Sequence, residues 1–184
     1  MNLSLLTNTL LEQYPVIPQP VEDHPQNAAV LVILYPVGTQ VNVLLIKRAA
    51  HLRSHAGEIS FPGGMYETED HSLLTTSLRE TREEVHIEIA ESQVIACLPQ
   101  VMTLTGFQVT PYLALLDGLP PYEKNPEEVA DVLDVPLVPL LATHHRDVGY
   151  PPAKNMVAYW YQQNRVWGAT AKILHHLGQV ARLL

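Results

Sequence analysis

A single cysteine in 184 residues excludes an internal disulfide, so the fold must stand on its packed core. That economy is expected of a protein of the reducing cytoplasm. Cys97 itself sits in the apolar run Val94 to Leu98 and reads as a packing residue. No apolar stretch reaches 18 residues, so no transmembrane helix and no membrane partner are expected. Met1 to Pro15 lacks the basic start, apolar block and small-residue cleavage site of a secretory signal. Arg182-Leu183-Leu184 is not the peroxisomal address Ser-Lys-Leu. Positive charge is scarce, with eleven Lys and Arg against nineteen Asp and Glu, a net charge of -8. This argues against a broad basic face for nucleic acid.

What is present is a globular composition, 47% hydrophobic and 16% charged, long enough for one domain with a full core. Leu3 to Leu11 has helical spacing, and Pro15, Pro18, Pro20 and Pro25 then make an extended connector. The expected division is 1–27, helix and connector, and 28–184, the main domain. Ala28 to Tyr35 and Val41 to Ile46, joined by Pro36-Val37-Gly38-Thr39, predict a hairpin. Ile59 to Phe61 predicts a short strand ending at the turn Pro62-Gly63-Gly64. A helix follows, capped by Ser72 and ending near His86. Strands are expected at Val94 to Leu98, Val109 to Leu116, Val132 to Val135 and Met156 to Gln162. Short and long helices are expected at Pro136 to Thr143 and Ala169 to Leu184. The alternation suits a mixed α/β fold with helices packed over a sheet.

Chemistry concentrates in the central helix. Glu80, Glu83 and Glu84 are three and four residues apart, a spacing that gathers carboxylates toward one side. Such a group repels itself unless cations screen it, and hard divalent ions such as Mg²⁺ or Mn²⁺ take oxygen ligands. The alternative is a solvated acidic face in which Arg79 pairs with Glu83. Gly63 and Gly64, just upstream, would let backbone approach a phosphate or metal closely. Lys47, Arg48 and Arg53 cluster a little earlier. The adjacent pairs His144-His145 and His175-His176 do not read as metal sites, because neighbouring residues face different ways. Trp160 and Trp167 read as packing residues.

Gly64 through Ile87 resembles the Nudix box, G-x5-E-x7-R-E-U-x-E-E-x-G-U with U apolar. Arg79, Glu80, Glu83, Glu84 and Ile87 fall on matching positions. The segment from Gly64 to Arg79 is one residue longer than that pattern, so Asp70 most nearly takes the first acid's place. Thr81 replaces an apolar residue and His86 replaces the glycine at the helix end. Leu44-Leu45-Ile46-Lys47-Arg48-Ala49, with Arg53, Gly57 and Phe61-Pro62-Gly63-Gly64, resembles the segment L-L-T-x-R-S/A-x3-R-x3-G-x3-F-P-G-G of coenzyme A pyrophosphatases; Ile46 departs from it. Thr105 to Pro111, Asn125 to Ala130 and Trp167 to Ala171 are also similar to that branch.

The resemblance implies an α/β/α sandwich around a mixed β-sheet, with the box as loop-helix-loop. It implies that Glu80, Glu83 and Glu84 hold Mg²⁺ or Mn²⁺ with the Gly63 or Gly64 carbonyl nearby, while Arg79 orients the acids. Glu127 or Glu128 would be a base outside the box, Glu128 being the expected one. Arg48, Arg53 and Gly63 would meet the substrate's phosphates. The expected substrate is a small diphosphate molecule, coenzyme A or a derivative, and a homodimer is compatible with this reading. The rivals are a Nudix hydrolase of another nucleoside diphosphate derivative and a Nudix-like binding module without turnover.

Overall fold

The structure is a computed structural model that describes residues 3–17, 26–146 and 156–182. The connector prolines Pro18, Pro20 and Pro25 and the chain end at 183–184 lie outside the described residues. The elements run α1 (Leu3–Gln13), β1 (Asn27–Val37), β2 (Gln40–Arg48), β3 (Ile59–Ser60), β4 (Gly63–Met65) and α2 (Leu73–Val85). After a 3-10 turn come β5 (Val94–Cys97), β6 (Val101–Met102), β7 (Gln108–Leu115), β8 (Val129–Pro136) and α3 (Leu137–Ala142). The chain continues through β9 (His145–Arg146), β10 (Val157–Tyr161), β11 (Asn164–Val166) and α4 (Gly168–Val180).

The main sheet runs β3-β2-β1-β7-β5, with β4 added to β1, β6 to β7 and β8 to β2; β9, β10 and β11 form a second sheet. The β1-β7 pair is parallel and the other pairs of the main sheet are antiparallel, so the sheet is mixed. Strand alternation divides the core in two. On β1, Val32 and Leu34 join the cluster that holds Leu6 and Leu10 of α1, Leu140 of α3 and Leu174 and Leu177 of α4. Leu31, Ile33 and Tyr35 join the opposite cluster, under Val85 of α2. The result is helices on both faces of the sheet, as expected. α1 packs into the same core as the later helices.

The hairpin and the ends of α2 match the sequence reading. The Ser72 hydroxyl accepts from the Thr75 N–H, and His86 closes the helix at φ 54 in the left-handed region. His is among the non-glycine residues that adopt it more readily than most. The expected turn at Gly63-Gly64 is instead strand β4, which pairs with β1 through Ala29↔Gly64 and Val30↔Gly63. Two glycines have low strand propensity. Here the tight backbone approach requires them: a Cβ on Gly63 would meet the Ala29 carbonyl oxygen and the Val30 Cα.

The loop before β8 docks on the end of α2. Asn125 N–H donates to the Glu84 carbonyl at 2.9 Å and Glu123 N–H to the Val85 carbonyl at 3.1 Å. His86 Nδ1 lies 2.8 Å from the Glu123 carbonyl. Carbonyls that every helix leaves unpaired at its C-terminus thus find partners in this loop. On the other side Ala49 N–H donates to the Glu128 carbonyl at 2.8 Å. These bonds bring the loop, β2 and α2 to one place.

Candidate active site

Arg79 ties the loop before α2 to the helix itself. Its Nε and Nη2 each donate to one oxygen of Asp70 at 3.0 Å, and Nη2 also reaches the Met65 carbonyl at 3.0 Å. Nη1 donates to Glu80 Oε1 and to Glu83 Oε2, both at 3.0 Å. Asp70 is buried and further held by the Thr76 hydroxyl at 2.8 Å and the Glu67 N–H at 3.1 Å. Burial opposes its charge, but Arg79, the Glu67 N–H and Thr76 outweigh that and hold its carboxyl below the usual range. The Asp70 hydrogen bonds, ahead of the Glu80 charge, hold the Arg79 guanidinium well above its ordinary pKa. Arg79 therefore fixes where α2 starts its acidic turn and does not point at open solvent.

Glu84 is the innermost acid, with no exposed side-chain surface. Gly63 N–H donates to its Oε2 at 2.9 Å, and Arg48 Nη1 lies 3.4 Å from its Oε1. Glu80, one turn earlier, packs its carboxylate against Gly64, where a Cβ would collide with it. Glu128 comes from the docked loop, and single oxygens of Glu80, Glu84 and Glu128 lie within 4.8 Å of one another. Glu83 stands outside that trio. Consecutive residues turn by about 100° on a helix, so Glu83 lies to the side of Glu84, 45% exposed and paired with Arg79.

The electrostatics follow from this crowding. Burial pushes the Glu84 carboxyl up to about 8; the Gly63 N–H and Arg48 pull it back, and Glu80 and Glu128 add to the rise. Glu80 is also raised, first by burial and then by Glu83 and Glu128, against the pull of Arg79. In the metal-free protein, Glu84 thus keeps a proton to higher pH when folded than when unfolded. Its folded pKa of about 8 exceeds the reference 4.5, so stability falls as pH rises across that window. The melting temperature of Glu84→Gln minus that of wild type, both metal-free, should therefore grow from about pH 5 to about pH 8. A flat difference would contradict the buried-charge account.

The other expected residues divide. Arg48 reaches the acidic group, through Glu84. Gly63 and Gly64 line it through the contacts already given. Arg53 lies on the exposed loop between β2 and β3, and Glu127 is exposed with its carbonyl taken by His51 Nε2 at 3.0 Å. Of the two candidate bases only Glu128 joins the acids. The sequence signal for that was absent locally, since it depends on β2 pairing β8 through Arg48↔Val129. The histidine pairs do split: His144 stacks on His175, ring centroids 5.1 Å apart, and His176 packs edge-on to Tyr14. Trp160 is exposed and stacks on His145 instead of entering the core. Burial raises the Cys97 thiol above its usual value, with a smaller opposing pull from Tyr112, as suits a packing residue.

Residues 25–158 match the NUDIX domain. The chain is 40% identical over 185 residues to the uncharacterized Nudix hydrolase NudL of Photorhabdus laumondii, covering 97% of each chain. Its fold is similar to that of a MutT/nudix family protein from Enterococcus faecalis, with a TM-score of 0.62 and 17% identity over 90% of this chain and 66% of the other. It is also similar to the NUDIX domain of Shewanella oneidensis NrtR, crystallised with ADP ribose, with a TM-score of 0.53 and 23% identity over 76% and 85%. With an acid-bearing helix matching the family's box and a domain match over most of its length, this chain belongs to the NUDIX family and is a pyrophosphohydrolase.

Proposed function

We propose that this chain hydrolyses the diphosphate of coenzyme A or its derivatives, releasing 3′,5′-ADP and 4′-phosphopantetheine, with Mg²⁺ or Mn²⁺ held at the acids of α2. One observation carries the reaction class: Glu80, Glu84 and Glu128 bring carboxylate oxygens within 4.8 Å of one another, with Glu84 fully buried. Three acids so placed are costly unless a cation neutralises them. An all-oxygen donor set fits a hard divalent ion. With Glu80 and Glu84, the donors this reading assigns are the Gly64 carbonyl and Glu83, which stands beside the trio on Arg79; Glu128 is kept as the base. The coenzyme A assignment is supported by the segment from Leu44 to Gly64 and its likeness to that branch.

A divalent ion held by these acids would neutralise charge on the diphosphate and lower the pKa of the attacking water. Glu128, the acid contributed from outside α2, accepts the water's proton. Arg79 orients Glu80 and Glu83, and acts on the substrate only through them. Arg53, exposed on the β2-β3 loop, meets the phosphates, since guanidinium matches phosphate geometry. Gly63 and Gly64 let the backbone come close without side-chain obstruction. A cytoplasmic setting is supported by the single cysteine.

Incubating the purified protein with coenzyme A, ADP-ribose and a panel of nucleoside triphosphates, with Mg²⁺ or Mn²⁺, tests this directly. Chromatography should detect metal-dependent release of 3′,5′-ADP from coenzyme A well above turnover of the others. Preference for another diphosphate would discard coenzyme A and keep the reaction class. No turnover of any substrate would favour a binding module.

A further inference from the structure

Arg48, with 23% of its side chain exposed, is directed at an acid. Side chains alternate along β2, and Leu44 and Ile46 belong to the cluster on the α2 side of the sheet. Arg48 follows in the same phase. A register shift against β8 falls between Lys47 and Arg48, and such irregularities re-aim side chains. The Arg48 backbone is anchored at both groups: its N–H donates to the Glu58 carbonyl at 2.9 Å, and its carbonyl accepts from the Gly57 N–H at 3.2 Å. Its Nε is buried and makes no hydrogen bond among the described residues.

The consequence falls on Glu84. The last torsion of a glutamate is broad and loosely held. A single bond from the Gly63 N–H to Oε2 would let the carboxylate swing about that contact. Arg48 Nη1 at 3.4 Å from Oε1 supplies a second hold from a different strand. We infer that Arg48 is a positioning residue that acts through Glu84, holding its carboxylate in the orientation that keeps it within reach of Glu80 and Glu128. This rests on the metal reading of that acidic group, and it assigns Arg48 to the ligand in place of the phosphate contact expected from the sequence.

Mn²⁺ binding to the metal-free full chain, followed by titration calorimetry, separates the roles. Arg48→Gln should weaken Mn²⁺ binding by about 10–100-fold and lower kcat for coenzyme A, with KM little changed. Arg48→Lys, which keeps the charge but not the fork, should recover part of that loss. In a Glu84→Gln background, Arg48→Gln should add little to the loss of Mn²⁺ binding, because the two act as one unit. Melting curves identify any variant that fails to fold, and Arg48→Lys then carries the test. Unchanged Mn²⁺ affinity with a raised KM would assign Arg48 to the substrate and overturn the inference. Tighter Mn²⁺ binding in Arg48→Gln would make Arg48 a competitor of the cation and overturn it equally. If wild-type protein binds no Mn²⁺, the metal reading fails first and this inference falls with it; if wild type binds and Arg48→Gln binds as well, only this inference fails.

Discussion

Glu84→Gln should lower kcat by roughly two to three orders of magnitude, the rate equivalent of several kcal/mol of metal-derived stabilisation. The metal-free protein should meanwhile keep its fold and melt no lower than wild type near neutral pH. Both halves come from the same geometry. Glu84 is fully buried beside two other acids, so in the absence of a cation its charge is a burden on the fold. Glutamine keeps the shape and can still accept from the Gly63 N–H, but it removes the charge a cation would require. Activity and metal-free stability should therefore move in opposite directions. Kinetics and melting curves on the same preparations check this. A folded Glu84→Gln protein with near-wild-type turnover would sink the metal assignment.

Gly63→Ala and Gly64→Ala should fail in different ways, although the two glycines are adjacent. At Gly63 the backbone has φ +148, and a Cβ would lie 2.6 Å from the Val30 Cα and also strike the Ala29 carbonyl. These are backbone atoms of the central strand β1, which cannot move aside locally. Strain and overpacking together should cost about 3 kcal/mol or more. For a domain of this size that is roughly a 6–12 °C fall in melting temperature. At Gly64 the obstacle is the Glu80 carboxylate, the far end of a side chain that can rotate away. Gly64→Ala should melt close to wild type yet lose most activity, because Glu80 is driven from the acidic group. Differential scanning calorimetry with parallel rate measurements reads both. Equal stability losses at the two positions would contradict the packing argument.

Much of the fold was legible because its signals are local. The hairpin of β1 and β2 follows from two apolar runs and a short turn, and α2 from its periodicity, Ser72 and the polar stretch before it. Other elements were hidden for physical reasons. The strand Gly63–Met65 carries two glycines, which read as a turn, and only the proximity of β1 makes them a strand. The two-residue strands β6 and β9 are too short for any period to show. Within the acidic helix the sequence indicated which residues matter, but spacing alone overstated their convergence. Glu80 and Glu84 share a side, whereas Glu83 turns outward to Arg79.

The residues alone determined the acid-rich helix, its caps, the glycine pair before it and the family pattern they compose, because each depends on neighbours within a few turns of chain. Tertiary structure decided which acid joins them from afar. Glu128 and not Glu127 reaches Glu84 because the loop before β8 satisfies the open carbonyls of α2 while its Glu128 carbonyl accepts from Ala49. Tertiary structure also turned Arg48 toward Glu84, since strand alternation and the irregular pairing with β8 set the direction of its side chain. Both outcomes rest on backbone hydrogen bonds between segments dozens of residues apart, and no local pattern encodes those.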